Sequence, residues 1–302
     1  MSPLKPKILI SALLGAGLLL SVSGFTADSS RQKQPEAQSA ASQSVQPMVN
    51  THVADATTKK RQQLIVDAAT AVTETQKAIS ALEKNKKDEA LKSLALATGK
   101  LELILARDPK LALAPVSLEV QTIDLLSTPD TVKAAAKQVK EYLDDGDIQK
   151  ARPLIATLAS EIDFHTTNIP LGTYPAAIKA ITPLIDAGKI DEAKAGLRAA
   201  LNTLVITTEV VPLPKLRAEL LLKEAQMLAE KKARSKEEND RLARNLKVSR
   251  EQLQLAETLG YAKKQDYKPL YKELEEIERK SADGKSGVGW FDRIRKQLSD
   301  WF

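Results

Sequence analysis

From about residue 57 onward, apolar residues recur at three- and four-residue intervals, which predicts amphipathic helices along most of the chain. The first long helix has one apolar face, formed by Leu64, Ala68, Ala71, Val72 and Ile79. Three more helices are predicted after Pro214, over residues 215–232, 237–259 and 266–280. The pattern therefore predicts a mainly α protein.

Three segments of the chain share one pattern, centred on Ala90, Ala151 and Ala193. Apolar residues lie eight and twelve positions before each alanine and four, eleven and thirteen positions after it, and a proline follows nineteen positions after it. Each segment reads as a helix, a polar turn and a second helix, where the small alanine lets two helices approach closely. The sequence thus predicts a degenerate helix–turn–helix repeat.

The end of each repeat favours an extended segment. Residues 161–164 and 203–208 are rich in branched and aromatic side chains, which suit a strand. In the first repeat, residues 100–105 fit a continuing helix and residues 115–121 alternate as a strand does. Because the repeats are unequally spaced and these segments can pair into a small β-sheet, we favour one compact helical domain, over residues 57–280, rather than an open solenoid.

The amino-terminal segment has the pattern of a targeting signal and is not expected to be part of the fold. Residues 1–27 have a basic start, an apolar centre and a small-residue end, typical of a secretory signal peptide. Cleavage after Ala27 or after Gly24 fits, and an uncleaved membrane anchor is the alternative. The Ser- and Gln-rich residues 28–56 predict a disordered linker with His52 in solvent at its edge. We therefore expect a periplasmic or secreted protein.

The carboxyl-terminal tail is the most suggestive part of the sequence. Residues 281–288 predict a flexible linker, and residues 289–302 predict a short amphipathic helix. Its apolar face is formed by Trp290, Phe291, Ile294, Leu298, Trp301 and Phe302. Such a face can pack on its own domain, lie on a membrane surface, or dock on a partner or sister subunit.

Composition excludes several kinds of chemistry. The chain has no cysteine and only two histidines, so it has neither a thiol nucleophile nor a three-histidine metal site. We expect His165 to make a hydrogen bond rather than to catalyse a reaction. Three aspartates, Asp144, Asp145 and Asp147, surround Gly146 without the spacing of a calcium loop. The sequence therefore predicts a protein that is not an enzyme and that has no catalytic, cofactor-binding or metal-binding residues.

Charge does not indicate nucleic-acid binding. The formal net charge is +6, but the basic excess is concentrated in residues 215–264, where Tyr261 is the one aromatic residue. Nucleic-acid binders usually combine a basic face with stacking aromatics or a known motif. We interpret the stretch as solvated helices, with no nucleic-acid partner.

The chain resembles the YfdX family of secreted, mostly helical bacterial proteins. The resemblance is carried by residues 128–130 (Thr-Pro-Asp), by residues 143–151 around the Asp-Asp-Gly-Asp turn, and by residues 207–214 around Val-Val-Pro-Leu-Pro. It covers about residues 60–262 and not the tail beyond about residue 265. It implies a periplasmic protein linked to stress responses, prone to self-association and without known enzyme activity.

These observations lead to two functional expectations. The first is a non-enzymatic, stress-related periplasmic binding protein of YfdX type, a homo-oligomer that binds proteins, peptides or small apolar ligands. The alternative is a structural or scaffold protein held at a membrane surface by its amphipathic tail.

Overall fold

A computed structural model of the chain describes residues 40–300. The helices are α1 (Ala40–Ser44), α2 (Gln46–Gln62), α3 (Val66–Glu83), α4 (Lys87–Arg107), α5 (Pro129–Asp144), α6 (Ile148–Ala156), α7 (Tyr174–Lys179), α8 (Thr182–Asp186), α9 (Ile190–Leu201), α10 (Leu213–Glu230), α11 (Lys236–Leu259), α12 (Lys264–Ser281) and α13 (Asp292–Ser299). The strands are β1 (Leu113–Ile123), β2 (Glu161–Pro170) and β3 (Val205–Pro212). The predicted signal peptide, residues 1–27, lies outside the described part.

The predicted fold class, mainly α with a small sheet, is confirmed. The three repeats are the helix pairs α3–α4, α5–α6 and α8–α9, and a strand follows each pair. Ala90, Ala151 and Ala193 are fully buried, each in the second helix of its pair. Gly146 and Gly188 adopt positive φ angles in the turns between paired helices, a conformation that glycine tolerates better than other residues. Within residues 40–300, no helix is both long and apolar enough to cross a bilayer.

The three strands form one antiparallel sheet in the order β1–β2–β3. Residues 161–164 and most of 203–208 lie in strands, as the branched side chains predict. In the first repeat, α4 continues to Arg107 because Leu101 and Ile104 are buried in the helical core. The strand of that repeat therefore lies later in the chain, as β1, which includes the predicted residues 115–121.

Apolar residues are buried in separate clusters. The first core is built from the first and third repeats, with α3 and α4 packed against α7, α8 and α9. The second core is formed by α10, α11, α12 and α13. A smaller cluster lies between the sheet and α2, where Val49 meets Ile162 and Phe164 of β2 and Leu216 of α10.

The two segments that the sequence predicts to be linkers make tertiary contacts where the structure describes them. Residues 46–56 are helical, and Val45 and Val49 are buried, while His52 is exposed as expected. Tertiary contact with α10 and the sheet holds α2, since its own apolar pattern is weak. In the carboxyl-terminal segment, the amide of Gly287 donates to the carbonyl of Ala229 at 3.1 Å, which fixes the chain to α10.

Candidate functional site

The predicted tail residues lie in the second core. Phe291, Ile294 and Leu298 are buried among residues of α10, α11 and α12, and Trp290 is half-buried at the edge of the same cluster. Trp301 and Phe302 lie outside the described residues. Of the predicted apolar face, the chain's own helices cover the described residues Phe291, Ile294 and Leu298. The tail therefore has the first of the three arrangements considered for it.

The polar side of α13 is also joined to the body. Arg293 forms ion pairs with Glu273 at 3.4 Å and with Glu276 at 3.2 Å on α12. The guanidinium of Arg295 donates to Oε1 of Gln226 on α10 at 2.8 Å. Since both faces of α13 contact the protein, this helix serves as part of the core in this conformation.

A cleft of about 890 Å³ lies in the described part of the chain. We call it the α5–α11 cleft. One wall is the connection between β1 and α5, with the first turns of α5, and the opposite wall is the second half of α11 with the start of α12. Ser42 of α1 and Arg217 of α10 also line it. Its volume is in the range of ordinary ligand pockets.

A buried arginine lies at this cleft. Arg217 donates from Nη1 to Oδ1 of Asp124 at 2.9 Å and from Nη2 to Oδ2 of the same carboxylate at 2.7 Å. A further hydrogen bond joins Nη2 to Oε1 of Gln46 on α2 at 3.1 Å. The two parallel bonds compensate the cost of burying the guanidinium. The Nε donor of Arg217 is buried and has no hydrogen-bond partner among the described residues.

A buried acceptor belongs to the same cleft. Gln252 of α11 donates from Nε2 to Oγ of Ser42 at 3.3 Å. Its Oε1 atom is buried and, within residues 40–300, accepts no hydrogen bond. Buried polar atoms without hydrogen-bond partners are few in folded proteins, and they commonly mark a place where a water or a ligand binds. The Nε of Arg217 is a donor and the Oε1 of Gln252 is an acceptor, and a peptide backbone carries groups of both complementary kinds.

The remaining lining is mixed in character. The hydroxyl of Tyr271 donates to Oε2 of Glu257 at 2.6 Å, and burial together with this carboxylate raises the pKa of Tyr271. Asp130 pairs with Lys133 at 3.2 Å at the start of α5. Leu126 adds an apolar side chain that is 46% exposed. The cleft can therefore contact polar groups and apolar groups of one ligand.

Sequence reasoning missed the residues at this cleft. Asp124, Arg217 and Gln252 are distant in the chain, and only the fold brings Asp124 to Arg217. One signal was available, because Arg217 follows Leu216 on a helix whose neighbouring leucines, Leu213 and Leu221, are buried. A charged residue at such an apolar-face position commonly has a buried partner.

The histidine considered as a catalytic candidate lies elsewhere. His165 is on the central strand β2, and its Nδ1 lies 2.9 Å from Oγ1 of Thr208 on β3, the kind of hydrogen bond expected for it. Asp147 pairs with Lys150 at 2.6 Å in the turn before α6. In the part of the chain that the structure describes, no three His, Asp or Glu side chains are grouped as metal ligands would be.

Comparison with known proteins identifies the repeat region. Residues 71–210 match the model of the YfdX protein family, from the middle of α3 to β3. A solved structure of YfdX from Salmonella Typhi is 15% identical, with a TM-score of 0.35, over 50% of this chain and 93% of that one. No curated protein is significantly similar in sequence to this chain. The resemblance to the YfdX family is therefore confirmed for residues 71–210, which contain all three helix–turn–helix repeats except the start of α3.

Proposed function

We propose that this protein is a non-enzymatic, extracytoplasmic binding protein that holds an extended peptide segment of a client protein in the α5–α11 cleft. The observation that carries the proposal is the pair of buried polar atoms at the cleft, Nε of Arg217 and Oε1 of Gln252. The backbone of an extended peptide supplies acceptors and donors, the kinds of partner that these two atoms lack. A purely apolar small molecule would leave both unsatisfied, at a cost for each.

The rest of the cleft supports a peptide over other ligands. Leu126 offers an apolar contact beside the charged pair Asp130–Lys133, so side chains of either kind have a place to lie. Binding that depends on backbone hydrogen bonds and on mixed contacts is tolerant of sequence. Tolerance of this kind suits a protein that meets many clients.

The location outside the cytoplasm is supported by two observations. Residues 1–27 have the pattern of a signal peptide, and the match to the YfdX family is compatible with such a location. The proposed role of the protein in a stress response rests on the family resemblance alone. The membrane-scaffold alternative loses the support of the tail, since Phe291, Ile294 and Leu298 are buried in this structure.

Binding to a permanently unfolded, reduced and carboxymethylated model protein tests the proposal. The probe is fluorescently labelled, and its anisotropy is followed as the purified full chain is added. Leu126→Asp is compared with Leu103→Asp, because both leucines are 46% exposed and Leu103 lies on α4 outside the cleft. We expect Leu126→Asp to weaken binding by about tenfold, or about 1.4 kcal/mol, and Leu103→Asp to leave it unchanged.

Two results would overturn this function. If the wild-type chain does not bind the unfolded probe, client binding is wrong. If it binds and both variants bind equally well, the α5–α11 cleft is not the site. Circular dichroism of both variants checks that the fold is retained, which is expected because each substitution is made at an exposed side chain.

A further inference from the structure

The second repeat exposes apolar residues at positions that the other two repeats bury. Leu143 of α5 is 47% exposed, whereas its equivalents Leu82 and Ile185 are 1% and 0% exposed. The same holds one helix later. Ile155 of α6 is 46% exposed, and its equivalents Leu94 and Leu197 are 2% and 0% exposed.

Packing explains this difference between the repeats. The first repeat packs against the third, because α3 contacts α9 and α4 contacts α7 and α8. The equivalent apolar residues of these two repeats fill the first core. The hairpin α5–α6 contributes no residue to the apolar clusters of the described chain, and Val132 and Ala151 are its buried apolar residues. The second hairpin thus lacks the partner that the first and third supply to each other.

We infer that copies of this chain associate through the apolar face of α5–α6, with the hairpin of one copy packed antiparallel on the same hairpin of the other. Within this fold, a repeat hairpin is covered by another hairpin of the same kind. The described residues hold three such hairpins, so one is left over, and a second copy supplies an identical partner. A shared twofold axis makes such an interface self-complementary.

Charge favours the antiparallel arrangement. Lys133, Lys137 and Lys140 lie along α5, whereas Asp144 and Asp145 lie at the turn that ends it. Antiparallel packing places the acidic turn of one hairpin near the lysines of the other. The ion pairs that these lysines make within their own helix are exposed and contribute little, so exchanging them across the interface costs little.

The absence of cysteine from the chain permits a direct cross-linking test. A single introduced cysteine can form a disulfide only with another molecule. Ile155→Cys is made in the full chain, because Ile155 lies level with the middle of α5 and antiparallel packing brings it close to the same residue of the other copy; Leu103→Cys is the control, since both side chains are 46% exposed. After mild oxidation, we expect disulfide-linked dimers on a non-reducing gel for Ile155→Cys and about tenfold less dimer for Leu103→Cys.

Sedimentation velocity of the full chain provides the second test. We expect the wild type and Leu103→Glu to associate, and the double variant Leu143→Glu, Ile155→Glu to be monomeric with an unchanged circular dichroism spectrum. A wild type that remains monomeric at high micromolar concentration would overturn the inference and leave the face to a different occupant. Association that persists in the double variant would also overturn it, by placing the contact on another surface. Neither result bears on client binding, because Leu143 and Ile155 do not line the α5–α11 cleft.

Discussion

Arg217 and Asp124, which lie 93 positions apart in the chain, form a bidentate ion pair, with Nη1 and Nη2 of the guanidinium 2.9 and 2.7 Å from the two carboxylate oxygens. Asp124 directly follows β1, inside the region that matches the YfdX family, and Arg217 lies on α10, outside that region. The pair therefore ties the family domain to the carboxyl-terminal helices at the α5–α11 cleft.

We expect Asp124→Asn to lower the stability of the protein. The substitution leaves the buried guanidinium of Arg217 without its counter-charge, which should reduce the free energy of unfolding by about 2–4 kcal/mol. Urea unfolding followed by circular dichroism measures the loss. Asp130→Asn is the matched control, because the pair of Asp130 with Lys133 is exposed. Equal midpoints for the two variants would show that the buried pair does not hold the fold together.

The tail should behave as part of the core. Ile294 is buried beside residues of α10 and α12, so Ile294→Ala should reduce the free energy of unfolding by about 2–4 kcal/mol. Val288→Ala, at an exposed side chain in the segment before α13, should change it very little. The urea midpoints of the two variants are compared with that of the wild type. An Ile294→Ala protein as stable as the wild type would mean that α13 is not docked in solution.

The two tryptophans of the chain report on membrane contact, since Trp290 and Trp301 flank α13. With the apolar face of α13 covered by its own protein, we expect the tryptophan emission to stay unchanged when anionic phospholipid vesicles are added. Co-sedimentation with the same vesicles is the parallel measurement. A blue shift together with co-sedimentation would indicate that the tail leaves the core for the bilayer, and would restore the membrane-scaffold function.

The repeats were predictable because their signals are local. Small alanines at the helix contacts, glycine in two of the turns and branched residues before the prolines each predict one feature without knowledge of the fold. Exposure was not predictable from the same pattern. Leu143 and Leu82 look equivalent in sequence, and only the packing of the first repeat on the third separates them.

The cleft and α2 depend on distant contacts, and for that reason the sequence did not reveal them. Asp124 follows β1, Arg217 lies on α10 and Gln252 lies on α11, so no local motif contains all three. Residues 46–56 carry too few apolar residues to predict a helix. Their structure comes from Val49 on the sheet and from the ion pair of Lys60 with Glu209 on β3.

Limited proteolysis should show that α2 is docked. Trypsin cleaves after lysine and arginine, and α2 ends with Lys59, Lys60 and Arg61. In the wild type we expect slow cleavage there, because a protease needs locally unfolded chain. Val49→Asp should accelerate it by placing a charge in the apolar cluster under α2, whereas Met48→Asp, at an exposed side chain, should not. Mass spectrometry of the fragments gives the rates. Rapid wild-type cleavage at these sites would favour the disordered linker that the sequence suggested.

Alkaline pH should unfold the protein and ionise its buried and half-buried tyrosines together. Burial raises the pKa of Tyr174, Tyr261, Tyr267 and Tyr271 above the ordinary value near 10, and Glu257 raises that of Tyr271 further. Because the folded state favours the neutral phenol, this contribution to stability is complete below pH 10 and is lost as the pH rises above it. We expect the tyrosinate absorbance near 295 nm to appear in step with the loss of helical circular dichroism. Tyr271→Phe should make the free energy of unfolding fall less steeply above pH 10. Gradual ionisation of these tyrosines around pH 10, with the helical signal intact, would show that the phenols are accessible to solvent.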